Sequence, residues 1–302
     1  MLLSLLLLFL VAPTAQDSAA QPETRTALEA ASPAAREAWA RFVHAARPDG
    51  GTEPIQSFRL HAEGLRRDGV QTNETKFDYS YLAPDCIRFA LPDGNETGRR
   101  GRRQRDYWKL AKNGVTRLVG RDFAQDRRLV EQMHTLARNF TSLASPNALR
   151  IQSLSLLDAP PPELWPKLRR QTRRLTWISI TSPDFALFLR DAAEERGHPL
   201  YRVDIALGDQ EPDRDLPRYA VIRELPSEGR PPAPPLLVAL KDYIESDSIP
   251  FPTTILAYAL EESDVGAVFS ELPIQEVYIL EASLSPDLTV ADFDPELEAE
   301  GH

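Results

Sequence analysis

Between Pro48 and Gly51 the chain changes hydrophobic rhythm, and that change limits what it can fold into. Before it, Leu28, Ala31, Ala35, Trp39, Phe42 and Val43 recur at the spacing of an amphipathic helix, predicted over about residues 23–46 with Pro33 near a start or a kink. After it the period falls to two. Residues 57–65, 75–82, 86–91, 105–111 and 115–119 read as successive strands, joined by turn signals such as Asp68-Gly69, Pro92-Asp93-Gly94 and Lys112-Asn113-Gly114. Connections this short imply an antiparallel meander.

A second helix follows over residues 122–143, where Phe123, Leu129, Val130, Met133, Leu136, Ala137 and Phe140 share one side and Asp122 favours the start. Strands then resume at 149–157, 175–181, 200–207, 218–224, 236–247, 254–260 and 275–283, with shorter helical segments within 160–175 and 182–196. The proline-rich pieces 159–166 and 226–235 are flanked by strands of one style, so they read as long loops of one sheet system rather than as linkers. The fold class is therefore α+β, with an antiparallel sheet of about 10–12 strands.

Residues 2–11 are apolar apart from Ser4, and Ala12, Ala15, Ala19 and Ala20 follow. Such a run is too short for a hydrocarbon core of roughly 30 Å and precedes small residues, which reads as an export signal over residues 1–20. An uncleaved anchor is the alternative. The remainder, 21–302, is expected as a single soluble domain in the periplasm or otherwise outside the cytosol, with a frayed acidic tail at 292–302. Cys86 is the only cysteine, so no intramolecular disulfide forms, and its apolar neighbours suit a buried thiol better than a reactive one.

The net charge of −10 hides a polarity. Residues 95–174 carry 18 basic and 7 acidic side chains, and residues 183–302 carry 8 and 26. This polarity either steers an anionic partner to the middle segment or reflects complementary surfaces within one fold. Arg99, Arg100, Arg102, Arg103 and Arg105, near Trp108, form one basic cluster, and Lys167, Arg169, Arg170, Arg173 and Arg174 form a second. An exported acidic protein rarely meets nucleic acid, so an anionic lipid, with peripheral membrane contact, or an acidic protein is the partner these clusters suggest.

Enzyme motifs are missing: there is no His-Glu-x-x-His, Gly-x-Ser-x-Gly or phosphate loop, and His44, His61, His134, His198 and His302 are scattered. No cofactor and no metal are expected. Asp209, Glu211, Asp213 and Asp215 begin like a calcium loop, but Arg214 stands where glycine must turn the chain and Ala220 where a bidentate glutamate is required. Carboxylate pairs such as Asp78 with Asp85 keep a hydrolase as a third reading. Three glycosylation sequons begin at Asn73, Asn95 and Asn139, the last inside a predicted helix.

Several short motifs point further. Tyr81-Leu82-Ala83-Pro84-Asp85-Cys86-Ile87-Arg88-Phe89 is a proline-containing turn followed by apolar-Arg-aromatic, and Phe58 with Gly64 precedes it. Asp106-Tyr107-Trp108-Lys109-Leu110 is a short aromatic strand, Phe251-Pro252-Thr253-Thr254-Ile255 a Pro-x-x-Ile element, and Ser285-Pro286-Asp287-Leu288 with Asp292-Phe293-Asp294-Pro295 a closing element. With the order of helices and strands, these resemble the lipoprotein localisation factor superfamily of LolA-like carriers, LolB-like receptors and RseB-like sensors.

That resemblance implies a curved sheet forming an incomplete β-barrel, helices over its concave face, and a cavity for an acyl chain or other hydrophobic ligand. The implied function is a non-enzymatic carrier for a lipoprotein acyl chain, with an envelope sensor or interaction module using the arginine hairpin as the alternative. By strand alternation Phe77, Tyr79 and Tyr81 share a face, as do Leu175, Trp177 and Ser179, and both sets are cavity candidates. Phe89 and Trp108 join them from the motifs. The matching arginine, Arg88, is implied to bond loop carbonyls and gate the helices.

Overall fold

The computed structural model describes residues 22–68, 71–93, 96–112, 114–187, 199–226, 232–263, 266–284 and 286–300. The expected leader at 1–20 lies outside these residues. Pro33 separates two helices rather than kinking one: α1 (Pro22–Ala30) and α2 (Pro33–Ala46), where the Ser32 hydroxyl accepts from the Ala35 amide at 3.2 Å and caps the second. The meander follows as β1 (Ser57–Asp68), β2 (Gln71–Leu82), β3 (Cys86–Asp93), β4 (Glu96–Arg103), β5 (Asp106–Ala111) and β6 (Gly114–Arg117). After α3 (Ala124–Ala144) come β7 (Ser153–Leu156), α4 (Pro166–Gln171), β8 (Thr176–Ser182), β9 (Tyr201–Leu207) and β10 (Pro217–Glu224). The chain closes with β11 (Leu236–Ser246), β12 (Ile249–Ser263), β13 (Gly266–Phe269), β14 (Gln275–Leu284) and α5 (Pro295–Glu300).

These strands form one 14-stranded antiparallel sheet in the order β6-β5-β4-β3-β2-β1-β14-β12-β11-β10-β9-β8-β7, with β13 paired to β12. Two meanders, β1–β6 and β7–β12, thus run outward from a seam where β14 lies between β1 and β12. The edge strands β6 and β7 do not pair with each other, so the barrel is incomplete. Two strands escaped the alternation reading. In β4 the inward positions are arginines instead of apolar residues, and β13 is only four residues long.

Alternation along the second meander divides its apolar residues between two cores. Ile178, Ile205, Ile222, Val238, Ile255 and Ala257 face the larger cluster beneath α1, α2 and α3, which we call the inner face. Their neighbours Trp177, Ala206, Val221, Leu237 and Leu256 face a smaller outer cluster capped by Leu164 and by Leu168 of α4. Strands buried on both faces read as near-continuous apolar runs, as Leu236–Leu240 does. On the outer face, Ser179, Asp204, Arg223 and Glu163 form a polar tie. Arg223 donates to Asp204 at 2.5 Å and to Glu163 at 2.8 Å, and Ser179 donates to Asp204 at 2.6 Å. Burial opposes ionisation of Glu163, and the Arg223 guanidinium outweighs it, holding the carboxyl below its ordinary range.

The acidic end of the chain is held further than its composition suggests. Phe293 is fully buried, and the Arg103 guanidinium pairs with Asp294 beside it. The 3-10 turn Val290–Phe293 packs on the outer face of β3 and β4, near the row Arg88, Gly101, Trp108 and Arg117 that strand register aligns. The Trp108 indole packs against Gly101. A Cβ at Gly101 would sit 2.4 Å from the indole and 2.6 Å from the Ile87 carbonyl, and neither the buried ring nor the ladder has room to yield. Gly101→Ala should therefore lower unfolding free energy by about 1–3 kcal/mol, read as a reduced midpoint in urea at unchanged slope.

Candidate ligand-binding site

The inner face of the first meander changes character strand by strand. Register places Tyr79, Phe89, Arg100 and Lys109 in one row, and Tyr81, Ile87, Arg102 and Tyr107 in the next. Aromatic side chains on β1–β3 thus give way to guanidinium groups on β4, and α3 lies across both. Its residues match the change: Asp126 and Glu131 meet the arginines, and Met133, Leu136, Ala137 and Phe140 meet the aromatic and aliphatic part. Phe58 stacks with Tyr79 at 5.5 Å and Tyr81 at 5.2 Å between ring centroids, and Phe140 packs edge-on against Phe58 and tilted against Phe251.

Between α3 and the sheet a cavity opens where β1 and β2 meet β14 and β12. Phe58, Leu60 and Tyr79 form one wall, Phe251, Ile255 and Val277 the other, and the α3 apolar face is the roof. Its walls are wholly apolar. The space between wall atoms comes to about 380 Å³ counting the open mouth, but only about 30 Å³ admits a water-sized sphere. The smaller figure governs what binds without movement, and sites that enclose a drug-sized ligand run roughly 300–1,000 Å³. A second void of about 10 Å³ adjoins it past Phe140, against Leu143, Leu240 and Tyr243. Side chains fill most of the interior, so an acyl chain enters only if α3 moves.

The fastenings of α3 are polar, and most sit toward its two ends. At the first end Arg100 pairs with Asp126 at 2.8 Å, Arg102 bridges Glu131 and Asp85 at 3.2 and 3.1 Å, and the Tyr107 hydroxyl donates to Glu131. At the other, Asn139 clasps the Ala186 backbone with two 2.9 Å bonds, and the Ser142 hydroxyl donates to the Asp184 carbonyl at 2.7 Å. Near the middle the Tyr79 hydroxyl donates to the Met133 carbonyl at 2.8 Å, using the ring's one polar atom. Burial pushes the Tyr79 hydroxyl well above the ordinary tyrosine range and Tyr81 up to about 12, so both stay neutral.

The candidates fall into three groups. Tyr79 lines the cavity and Tyr81 is buried in the same inner core, as alternation implied, and Phe89 from the motif is buried there too. The Phe77 side chain lies outside the described residues. Trp177 and Trp108 are on the outer face, a correction to the cavity set. Alternation put Leu175, Trp177 and Ser179 together correctly but cannot tell inner from outer where both faces are buried. Arg88 also points outward. It does donate to a backbone carbonyl, at 2.9 Å, but that carbonyl belongs to Asp292 in the C-terminal turn and not to the helices over the cavity.

The arginine cluster is likewise divided. Arg100 and Arg102 are buried against α3, Arg103 holds Asp294, Arg99 is half-buried and Arg105 is exposed. Complementary surfaces within the fold thus account for much of the basic middle segment. Sequence reasoning missed Phe58, Phe251, Ile255 and Val277 as cavity walls; only the spacing of Arg100 and Arg102 against Asp126 and Glu131 signalled where α3 docks.

Other sequence features find plain structural roles. Asn139 is buried and bonded, so its sequon is closed to a glycan. Asp209, Glu211 and Asp215 pair with Arg174, Arg214 and Arg41, respectively, and no group that could hold a metal occurs among the described residues. The Cys86 thiol is buried, and burial pushes its pKa up. The segment expected to be helical at 182–196 is non-helical through residue 187, the part its description covers. No helix among the described residues is long and apolar enough to cross a membrane.

No protein-family model and no curated protein matches the sequence. Among solved structures, a DUF1329 family protein from Desulfovibrio piger aligns at a TM-score of 0.46 and 11% identity, over 87% of this chain and 98% of that one. A LolA superfamily protein from Nitrosomonas europaea aligns at 0.43 and 12%, over 87% and 98%. A putative outer membrane lipoprotein-sorting protein domain from Vibrio parahaemolyticus aligns at 0.42 and 10%, over 90% and 98%.

His134 supplies a pH test of the packing. It sits on α3 beneath the β2–β3 turn, its Nε2 2.8 Å from the Pro84 carbonyl and its ring 5.9 Å from that of Tyr81. Burial, then the Arg102 charge, lowers its pKa from the ordinary 6.5 to about 4; Arg138 adds to this, and the Pro84 carbonyl and Asp85 oppose it. The neutral ring donates to Pro84. Because the unfolded chain protonates first as pH falls, this contribution is complete above pH 6.5 and lost progressively down to about pH 4, with a total of about 3 kcal/mol. His134→Gln, which keeps a donor at the same reach, should remove that part of the pH slope in urea unfolding, and the difference from wild type between pH 7 and pH 4 measures it.

Proposed function

We propose that this chain is an exported, non-enzymatic carrier or binding protein for an acyl chain, such as that of a lipoprotein, or another hydrophobic ligand. The site is the wholly apolar cavity between α3 and the inner face of the sheet. The observation that supports this most strongly is how α3 is held: its middle covers a cavity with no polar wall, beside the single hydrogen bonds of Met133 to Tyr79 and of His134 to Pro84, while most of its polar ties lie toward its ends. Burial of an alkyl chain contributes roughly 25 cal/mol per Å² and needs no directional partner, which is what such a surface offers. The apolar leader at residues 2–11 supports a periplasmic or otherwise exported location. Inward use of Arg100 and Arg102 weakens the alternative in which the whole arginine hairpin meets an acidic partner.

The test is to purify the protein without detergent, analyse an organic-solvent extract by mass spectrometry, and titrate a fluorescent fatty-acid probe. Saturable binding is expected, and Ala137→Phe, which fills the cavity from its roof, should weaken it at least tenfold while the protein still melts cooperatively. A clean extract without saturable binding, or undiminished binding by folded Ala137→Phe, would overturn the assignment.

A further inference from the structure

Of the two basic clusters in the sequence, the first is largely consumed inside the fold. The second is not. Lys167, Arg169, Arg170, Arg173 and Arg174 lie on and just after α4, and all five are exposed. Arg174 pairs with Asp209 at 3.0 Å, and the other four form no ion pair among the described residues. The nearest acid on the same segment, Glu163, is committed to Arg223.

The array is fixed from below. Leu164 and Leu168 are buried in the outer cluster, the Thr172 hydroxyl donates to the Leu168 carbonyl at 3.0 Å, and the Trp177 indole donates to the Thr172 carbonyl at 3.1 Å. Leu164, Leu168 and the bond from Trp177 thus tie the segment to the sheet, and the five cations stay exposed to solvent.

We infer that the α4 face is a docking surface for an anionic phospholipid bilayer. A protein partner with a stable interface would call for an apolar or aromatic centre within the patch. From residue 153 to residue 176 only Leu156, at 36% exposure, is a large hydrophobic side chain open to solvent, and Trp165 is turned onto Tyr258. Electrostatic adsorption to a bilayer needs no such centre. It needs fixed cations within a Debye length of the headgroups, each raising partitioning about fivefold. The chain's net charge of −10 repels the same bilayer from its other faces, so adsorption through α4 also sets orientation. This docking is independent of what the cavity holds.

Co-sedimentation of the full chain with vesicles tests it. Binding is expected to equimolar phosphatidylglycerol and phosphatidylcholine, falling steeply with added salt, and not to phosphatidylcholine alone. Lys167→Gln with Arg170→Gln should reduce partitioning about 25-fold, and Lys167→Glu with Arg170→Glu further. Arg105→Glu with Arg121→Glu, equally exposed elsewhere, should leave it nearly unchanged. Fatty-acid probe binding by the same α4 variants should be unaffected, which separates this surface from the cavity. Equal loss in both sets of variants, no binding to anionic vesicles, or salt-sensitive capture of an acidic polypeptide in place of vesicles would overturn the inference.

Discussion

An open sheet this large must cover its inner face, and the way α3 does so governs the rest of the molecule. The aromatic wall of Phe58, Tyr79, Tyr81 and Phe89 demands an apolar cover, while Arg100 and Arg102 one strand further demand carboxylates. One helix meets both because its first two turns carry Asp126 and Glu131 and its later turns carry Met133, Leu136 and Phe140. Buried guanidinium groups are costly unless paired, so these arginines fix where α3 lies and in which register. The apolar contact fixes nothing so specific, since it has no direction.

Under the proposed carrier function, that division of labour would link packing to ligand exchange. Salt bridges and hydrogen bonds at the helix ends can be replaced by bonds to water only if both partners become solvated as the helix lifts. The apolar middle, once lifted, exposes a surface that either α3 or an alkyl chain can cover. The structure leaves only about 30 Å³ free, so under the proposed carrier function ligand and helix would compete for one surface. The outer face is organised differently: Trp108 packs on Gly101, Phe293 is fully buried, and Asp204, Arg223 and Glu163 form a bonded tie.

Much of this was legible in the sequence. The change from period 3.6 to period 2 placed α2 and the first meander, and turn signals gave antiparallel pairing. The same alternation put Tyr79 and Tyr81 on one face but also assigned Trp177 to the cavity, because the second meander is apolar on both faces and alternation there does not say which face is inner. Strand β4 was hidden by its own chemistry: Arg100 and Arg102 alternate as core residues do, yet a cation reads as surface until its carboxylate partner, some 25–30 residues on, is brought beside it. Arg88 shows the converse limit. A motif match located the residue on its strand and even its liking for a carbonyl, but the face it occupies depends on the C-terminal segment folding back from over 200 residues away.

The central claim is that α3 is a cover that a hydrophobic ligand displaces. Amide hydrogen exchange along residues 124–144, with and without saturating fatty-acid probe, tests it most directly. Displacement predicts that probe accelerates exchange around Met133 to Phe140, while β1, β2 and β12 beneath keep or gain protection. Saturable probe binding with exchange in α3 unchanged, and protection appearing elsewhere, would contradict it.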